Sequence, residues 1–297
     1  MKSALRRIRV VLLGAAVLAS CVALGSLNSS SAGAATSVSA FYLDIGGSAS
    51  LGVQPTLGYP KGQRTGNGYA DYLVAQEAAK GVTLDLHEIG CSGETTDTML
   101  HGGDKCYSPP DSQLNEAISF LQTHYDENGV VTIDLGFNDL LGCRNDWTAR
   151  QSCVNRELGS AREQLTGIVG QLVDAAGPNV KFVGVGHYDP FLADAFNDSR
   201  HSNVAKGSLN VVHHLNGVLR AVYESFGIPM ADVGEVFRLD STEPVAVAGI
   251  GTVPANVAEV CLMTWMCQAA PLGPNIHPND AGYEAIATAI NEELTPW

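Results

Sequence analysis

The chain has 297 residues, of which 45% are hydrophobic and 16% charged. This is the composition of a globular protein long enough for one α/β domain with a sizeable core, and it excludes a disordered or fibrous chain. The formal charge of −14 leaves no basic footprint for a nucleic-acid backbone or an anionic membrane.

Lys2, Arg6, Arg7 and Arg9 precede an apolar run from Val10 to Leu24, and Ala32-Gly33-Ala34 follows as a small-residue cleavage site. Together they predict a secretory signal peptide over residues 1–34 and a mature domain over 35–297. Gly14, Ser20 and Cys21 interrupt the run, so no stable membrane insertion is expected after cleavage. A lipoprotein anchored through Cys21 is the second reading, from Leu18-Ala19-Ser20-Cys21, but Val22-Ala23-Leu24 extends the apolar run past that cysteine. Cleavage leaves 13 basic against 31 acidic residues, a charge of −18.

Strand and helix signals then alternate. Phe41 to Ile45 reads as a strand ending in Gly46-Gly47, and Tyr69 to Lys80 as a helix stopped by Gly81. Val82 to Ile89 alternates like a strand, and Leu114, Ile118 and Leu121 have helical spacing. Val130 to Leu135 is a strand. Leu158, Ala161, Leu165, Ile168, Val169 and Leu172 form a long helical stripe closed by Gly177-Pro178. Val180 to Val185 is a strand, Val211 to Val222 a further helix, and Ile228 to Val233 a last short strand. Arg238 to Asn275 reads as one long irregular stretch, and Asp280 as the cap of a final helix bearing Tyr283, Ile286 and Ile290. This alternation predicts a parallel sheet covered by helices on both faces, with functional residues at the carboxyl ends of its strands.

Six cysteines follow the signal segment: Cys91, Cys106, Cys143, Cys153, Cys261 and Cys267. Sequence alone allows about 15 pairings of six cysteines. They fall in three local couples, so Cys91–Cys106, Cys143–Cys153 and Cys261–Cys267 are the expected disulfides of an exported protein. Neither C-x-x-C nor H-E-x-x-H occurs, and no metal or cofactor is expected.

Four polar segments sit where strand ends belong. Gly46-Gly47-Ser48-Ala49-Ser50 turns the chain sharply and exposes a serine, although such a turn is also an ordinary helix entry with Ser48 as N-cap. Cys91-Ser92-Gly93-Glu94-Thr95-Thr96 offers a glycine amide to a reacting oxygen, or else a tied turn in which Thr95 or Thr96 caps a helix. Gly136-Phe137-Asn138-Asp139 presents an Asn side chain able to donate to an oxyanion, or a plain turn. Asn275-Ile276-His277-Pro278 presents a histidine just before the last helix, while His87, His101, His124, His187, His201, His213 and His214 read as structural or exposed.

In this order the four segments resemble the blocks of the SGNH, or GDSL, hydrolases, and the likeness spans residues 41 to 294. His187-Tyr188-Asp189-Pro190 after a strand also looks like a family feature, and the three cysteine couples resemble those of secreted actinobacterial members. The resemblance implies a flavodoxin-like three-layer α/β sandwich with about five central strands. It implies a monomeric secreted esterase or lipase acting on a small-molecule or lipid ester, with no cofactor. Ser48 would be the nucleophile and His277 its base. The amides of Ser48 and Gly93 and the side chain of Asn138 would hold the oxyanion.

Two positions depart from the family pattern. Gly47 replaces the usual Asp before the serine, and Pro274 stands where the triad Asp belongs. A backbone carbonyl near Pro274 or Asn275 is therefore the expected acceptor for the second ring nitrogen of His277. Leu262, Met263, Trp265 and Met266 are expected to wall the substrate pocket or to pack under a loop. The alternatives are an ordinary α/β-hydrolase, disfavoured by a serine after the first strand rather than mid-chain, and a secreted binding protein that kept the fold and lost catalysis.

Overall fold

Five strands assemble into one parallel sheet in the computed structural model, which describes residues 38–145, 147–194 and 202–296. The expected signal segment, Cys21 and His201 lie outside the described residues. The strands are β1 (Val38–Gly46), β2 (Val82–Glu88), β3 (Gly129–Asp134), β4 (Val180–Val185) and β5 (Met230–Ala231), in the order β2-β1-β3-β4-β5. Every neighbouring pair is parallel, which requires a crossover between successive strands. The crossovers carry α1 (Tyr69–Ala79), α2 (Thr96–His101), α3 (Gln113–Thr123), α4 (Phe137–Leu140), α5 (Gln151–Ala175) and α6 (Ser202–Ser225). After β5 come α7 (Val233–Val236), α8 (Ala255–Met263) and α9 (Asp280–Glu293).

The period of two along each strand divides the core into two layers. Phe41, Leu43 and Ile45 of β1, with Val131 and Ile133 of β3, face Leu114 and Leu121 of α3, Leu165 and Leu172 of α5 and Leu215 of α6. Ala40 and Tyr42 of β1, with Val130 of β3 and Val183 and Val185 of β4, face Tyr69 and Leu73 of α1 and Tyr283, Ile286 and Ile290 of α9. Burial on both faces is why these strands read as continuous apolar runs. The result is the parallel sheet with helices on both faces that the alternation predicts, and the flavodoxin-like three-layer sandwich that the family resemblance implies.

Three expectations change. The last strand is only Met230–Ala231. Asp280 is the first residue of α9, and Asn279 is its cap, with the side chain accepting from the Gly282 N–H at 3.1 Å. The stretch from Arg238 to Asn275 is regular over about half its length. It holds the hairpin of β6 (Pro244–Val247) and β7 (Gly251–Pro254), then α8, then β8 (Thr264–Trp265). Strands of two to four residues are too short for alternation to show in a sequence. β8 pairs antiparallel with β9 (Asn275–Pro278). Disulfides join Cys91 to Cys106, Cys143 to Cys153 and Cys261 to Cys267.

Strand order reverses between β1 and β3, and the crevice beyond their carboxyl ends is where an open α/β sheet places a ligand.

Candidate active site

Ser48, two residues beyond β1, does not cap a helix: the next helix begins at Tyr69. The turn is held from two sides. Gly46 donates its N–H to Gln113 Oε1 at 2.8 Å and accepts from Gln113 Nε2 at 3.1 Å, so a buried side chain on α3 mimics a neighbouring strand. Gly47 donates to the Asp134 carbonyl at 3.2 Å. The Ser48 side chain is half-buried and lines a small pocket.

Asn138 and His277 line the same pocket, with Asp134, Phe137, Tyr188 and Ile276. Asn138 enters it because Gly136 adopts φ +103° at the start of α4, a conformation that favours glycine. Its Nδ2 donates to the Glu94 carbonyl at 2.9 Å, which leaves one amide hydrogen uncommitted. A Cβ on Gly47 would stand 2.9 Å from that Nδ2. The missing Asp before the serine therefore leaves room for the Asn138 amide.

Gly93 lies in an adjoining pocket with Cys91, Lys105 and Cys106, joined to the first through the Asn138–Glu94 contact. Thr95 caps α2, its side chain accepting from the Thr98 N–H. Asp139 accepts from both the N–H of Thr96 at 3.2 Å and its hydroxyl at 2.5 Å, so it ties the second and third segments together. The N–H groups of Ser48 and Gly93 carry no hydrogen bond among the described residues.

The acceptor for His277 differs from the expected backbone carbonyl. Asn275 and His277 are two apart on β9, so their side chains share a face. Asn275 Oδ1 lies 2.6 Å from His277 Nδ1 and also accepts from the His277 N–H at 3.0 Å. Asn275 Nδ2 donates to the carbonyls of Pro60 and Lys61, each at 3.3 Å. These partners fix the amide orientation, so His277 Nδ1 bears the hydrogen and Nε2 keeps its lone pair. Burial lowers the His277 pKa to about 4. Ser48 and His277 share no hydrogen bond among the described residues, a gap common in sites without substrate.

The segment between Cys261 and Cys267 does not wall this pocket. Met266 is in the core, Leu262 is exposed, and the Trp265 Nε1–H donates to Gln54 Oε1 at 3.1 Å. The segment supports the histidine instead, through the β8–β9 pairing.

His187 is the residue the sequence undervalued. It lines the pocket with Tyr188. Its Nε2 is 3.0 Å from the Leu135 carbonyl, and its Nδ1 is 3.7 Å from Asp134 Oδ1. Burial pushes the Asp134 carboxyl up, opposed by His187 and by the Ser50 N–H. The available signal was position, since Asp134 ends β3 and His187 follows β4 by two residues. Other histidines behave as expected: His87 stacks on Phe120, His101 meets Asp97 and His213 meets Asp240. The group of possible metal ligands found among the described residues is Cys143, Cys153 and Glu157, and both sulfurs are committed to a disulfide.

A serine, an imidazole with a free basic nitrogen and uncommitted N–H donors at the switch point of a five-stranded parallel sheet can perform acyl transfer. Fold and site define the SGNH class of α/β hydrolases. The model of the GDSL-like Lipase/Acylhydrolase family matches residues 45–285, and the chain belongs to that family of ester hydrolases.

Solved structures with this fold include phospholipase A1 from Streptomyces albidoflavus NA297, at 17% identity and TM-score 0.55 over 86% of this chain and 99% of that one. An extracellular lipase from Streptomyces rimosus matches at 18% and TM-score 0.51, over 86% and 100%. The lipase Lip_vut3 from a goat rumen metagenome matches at 15% and TM-score 0.52, over 86% and 97%. No curated protein matches the sequence.

Proposed function

We propose that the chain is a secreted carboxylic ester hydrolase working through an acyl-enzyme on Ser48. The observation that carries this reading is the shared pocket of Ser48, Asn138 and His277, in which Asn275 commits Nδ1 and frees Nε2. His277 Nε2 takes the Ser48 proton as Oγ attacks the ester carbonyl. The resulting oxyanion accepts from the amides of Ser48 and Gly93 and from Asn138 Nδ2. Collapse expels the alcohol, which takes its proton from His277. A water molecule then gives a proton to the same nitrogen as it attacks the acyl-enzyme, and collapse breaks the bond to Ser48, returns that proton to Oγ and releases the carboxylic acid. Asn275 is a neutral orienting group: it holds the tautomer, as an Asp would, and supplies less stabilisation to the imidazolium.

The test is hydrolysis of p-nitrophenyl esters by the wild type and Ser48→Ala. Turnover lost in the variant supports the serine mechanism. Activity retained by Ser48→Ala, or folded wild type inert to every ester, contradicts it, and the latter result favours a binding protein.

Export is part of the same reading. Residues 1–34 form the cleaved signal, 35–297 the single monomeric domain, and the three disulfides suit an oxidising compartment. No helix of the described residues is long and apolar enough to cross a membrane. N-terminal sequencing of the exported protein tests this: a start near Ala35 is expected, and a lipidated Cys21 would contradict it.

A further inference from the structure

The pocket around Ser48 is small and its walls are fixed. Its volume is about 60 Å³, whereas a cavity that takes a benzene-sized guest is about 150 Å³. The pocket is partly open, which gives the leaving alcohol and water a route, and the remaining space is what an acyl group on Ser48 can fill. On one side stands Tyr188, which cannot swing away freely. Its hydroxyl donates to the Ile276 carbonyl at 2.5 Å, and its ring stacks on Phe237 with centroids 4.2 Å apart. On another side Phe137 lies against His187 and Phe191, with centroids 5.5 and 6.1 Å away.

Part of the lining is polar. Asp134 and His187 belong to the pocket lining; both are buried, and His187 Nδ1 is 3.7 Å from Asp134 Oδ1. His187 is itself clamped, donating its N–H to Asn216 Oδ1 at 2.9 Å while its carbonyl accepts from Asn216 Nδ2 at 2.8 Å. An acyl chain growing past the first few carbons meets either a pinned aromatic ring or a carboxyl–imidazole pair that gains nothing from contact with methylenes.

We infer that this hydrolase is specific for esters of short acyl groups, acetyl to butyryl, because the pocket is small and Tyr188, Phe137 and the Asp134–His187 pair bound it. The inference rests on the acyl-enzyme reading above and names its substrate class.

The test uses p-nitrophenyl acetate, butyrate, octanoate and laurate with the disulfide-intact protein, alongside Ser48 labelling by alkyl fluorophosphonates of matching lengths. The expected kcat/KM is at least about tenfold higher for acetate or butyrate than for octanoate, and the short phosphonates label faster. Tyr188→Ala should raise the octanoate-to-acetate ratio at least about tenfold. Octanoate or laurate handled as fast as butyrate, or a ratio unmoved in folded Tyr188→Ala, overturns the inference. Should Tyr188→Ala fail to fold, the wild-type phosphonate series decides alone. Labelling that favours long chains sinks only the short-acyl inference; no labelling of Ser48 at any length sinks the hydrolase reading with it.

Discussion

At the scale of single residues, the site is organised by an amide where a carboxylate is customary. Asn275 accepts from His277 Nδ1 at 2.6 Å, and burial without a countercharge holds the imidazole near pKa 4. The charged or titratable groups that line its pocket are Asp134, His187 and Tyr188, and Asp280 follows it three residues later at the start of α9. A base must be neutral to accept a proton, so kcat/KM should rise with pH through about 4 and be flat near 6.5, the ordinary histidine value. Asn275→Asp adds a negative charge beside the ring, favours imidazolium and should move that limb up by at least about one pH unit. Asn275→Ala should lower kcat more than it changes KM, with partial rescue by Asp. A limb that stays in place in Asn275→Asp would show that residue 275 does not control the ring. Asn138→Ala should cost about 10²–10³ in kcat, as loss of one oxyanion donor does; an unchanged kcat would remove Asn138 from the mechanism. The serine, glycine, asparagine and histidine segments were legible from their order in the sequence, and Ser48, Asn138 and His277 line one pocket while Gly93 lines the next. The orienting group was hidden because expectation followed the position three before the histidine, whereas strand geometry brings the residue two before it onto the same face.

At the scale of elements, the site is held by groups that do no chemistry. Gln113 reaches from α3 to both backbone groups of Gly46. Asp139 joins α4 to the start of α2, and β8 pairs with β9 beneath His277. Gln113→Leu keeps the volume but strands the buried Gly46 N–H, at a cost of about 1–3 kcal/mol. The expected outcome is a lower urea midpoint with an unchanged m-value, and a midpoint equal to wild type would mean that Gly46 finds another partner. The longer elements were legible from periodicity: β4 falls on its expected residues, and α5 contains the whole apolar stripe from Leu158 to Leu172. The region from Arg238 to Asn275 was not, since its short strands are specified by pairing with distant residues rather than by local pattern.

At the scale of the whole molecule, buried ionisable groups give stability two opposing pH dependences. Burial raises Asp189 to about 7 and moves Asp44, Asp134, Asp139 and Glu94 in the same direction. A folded state that keeps a proton the unfolded chain has released loses stability as pH rises, here from about 4 to about 7 for Asp189. His277 acts the other way. Its folded form sheds a proton the unfolded chain retains, so its contribution falls as pH drops from 6.5 towards 4. Asp189→Asn keeps a side chain able to cap the 3-10 turn at Pro190–Ala193 and removes the titration. Its Tm relative to wild type should climb between pH 4 and 7 and level off above. An offset constant across that range would show that Asp189 does not titrate there.

The central claim is that Ser48 is the nucleophile and His277 Nε2 its base. Intact-protein mass measurement with peptide mapping after treatment with a short alkyl fluorophosphonate tests it most directly. The expected result is one adduct on the peptide containing Ser48, absent in Ser48→Ala and formed far more slowly in His277→Ala. An adduct on another residue, or none on folded wild type, would contradict it.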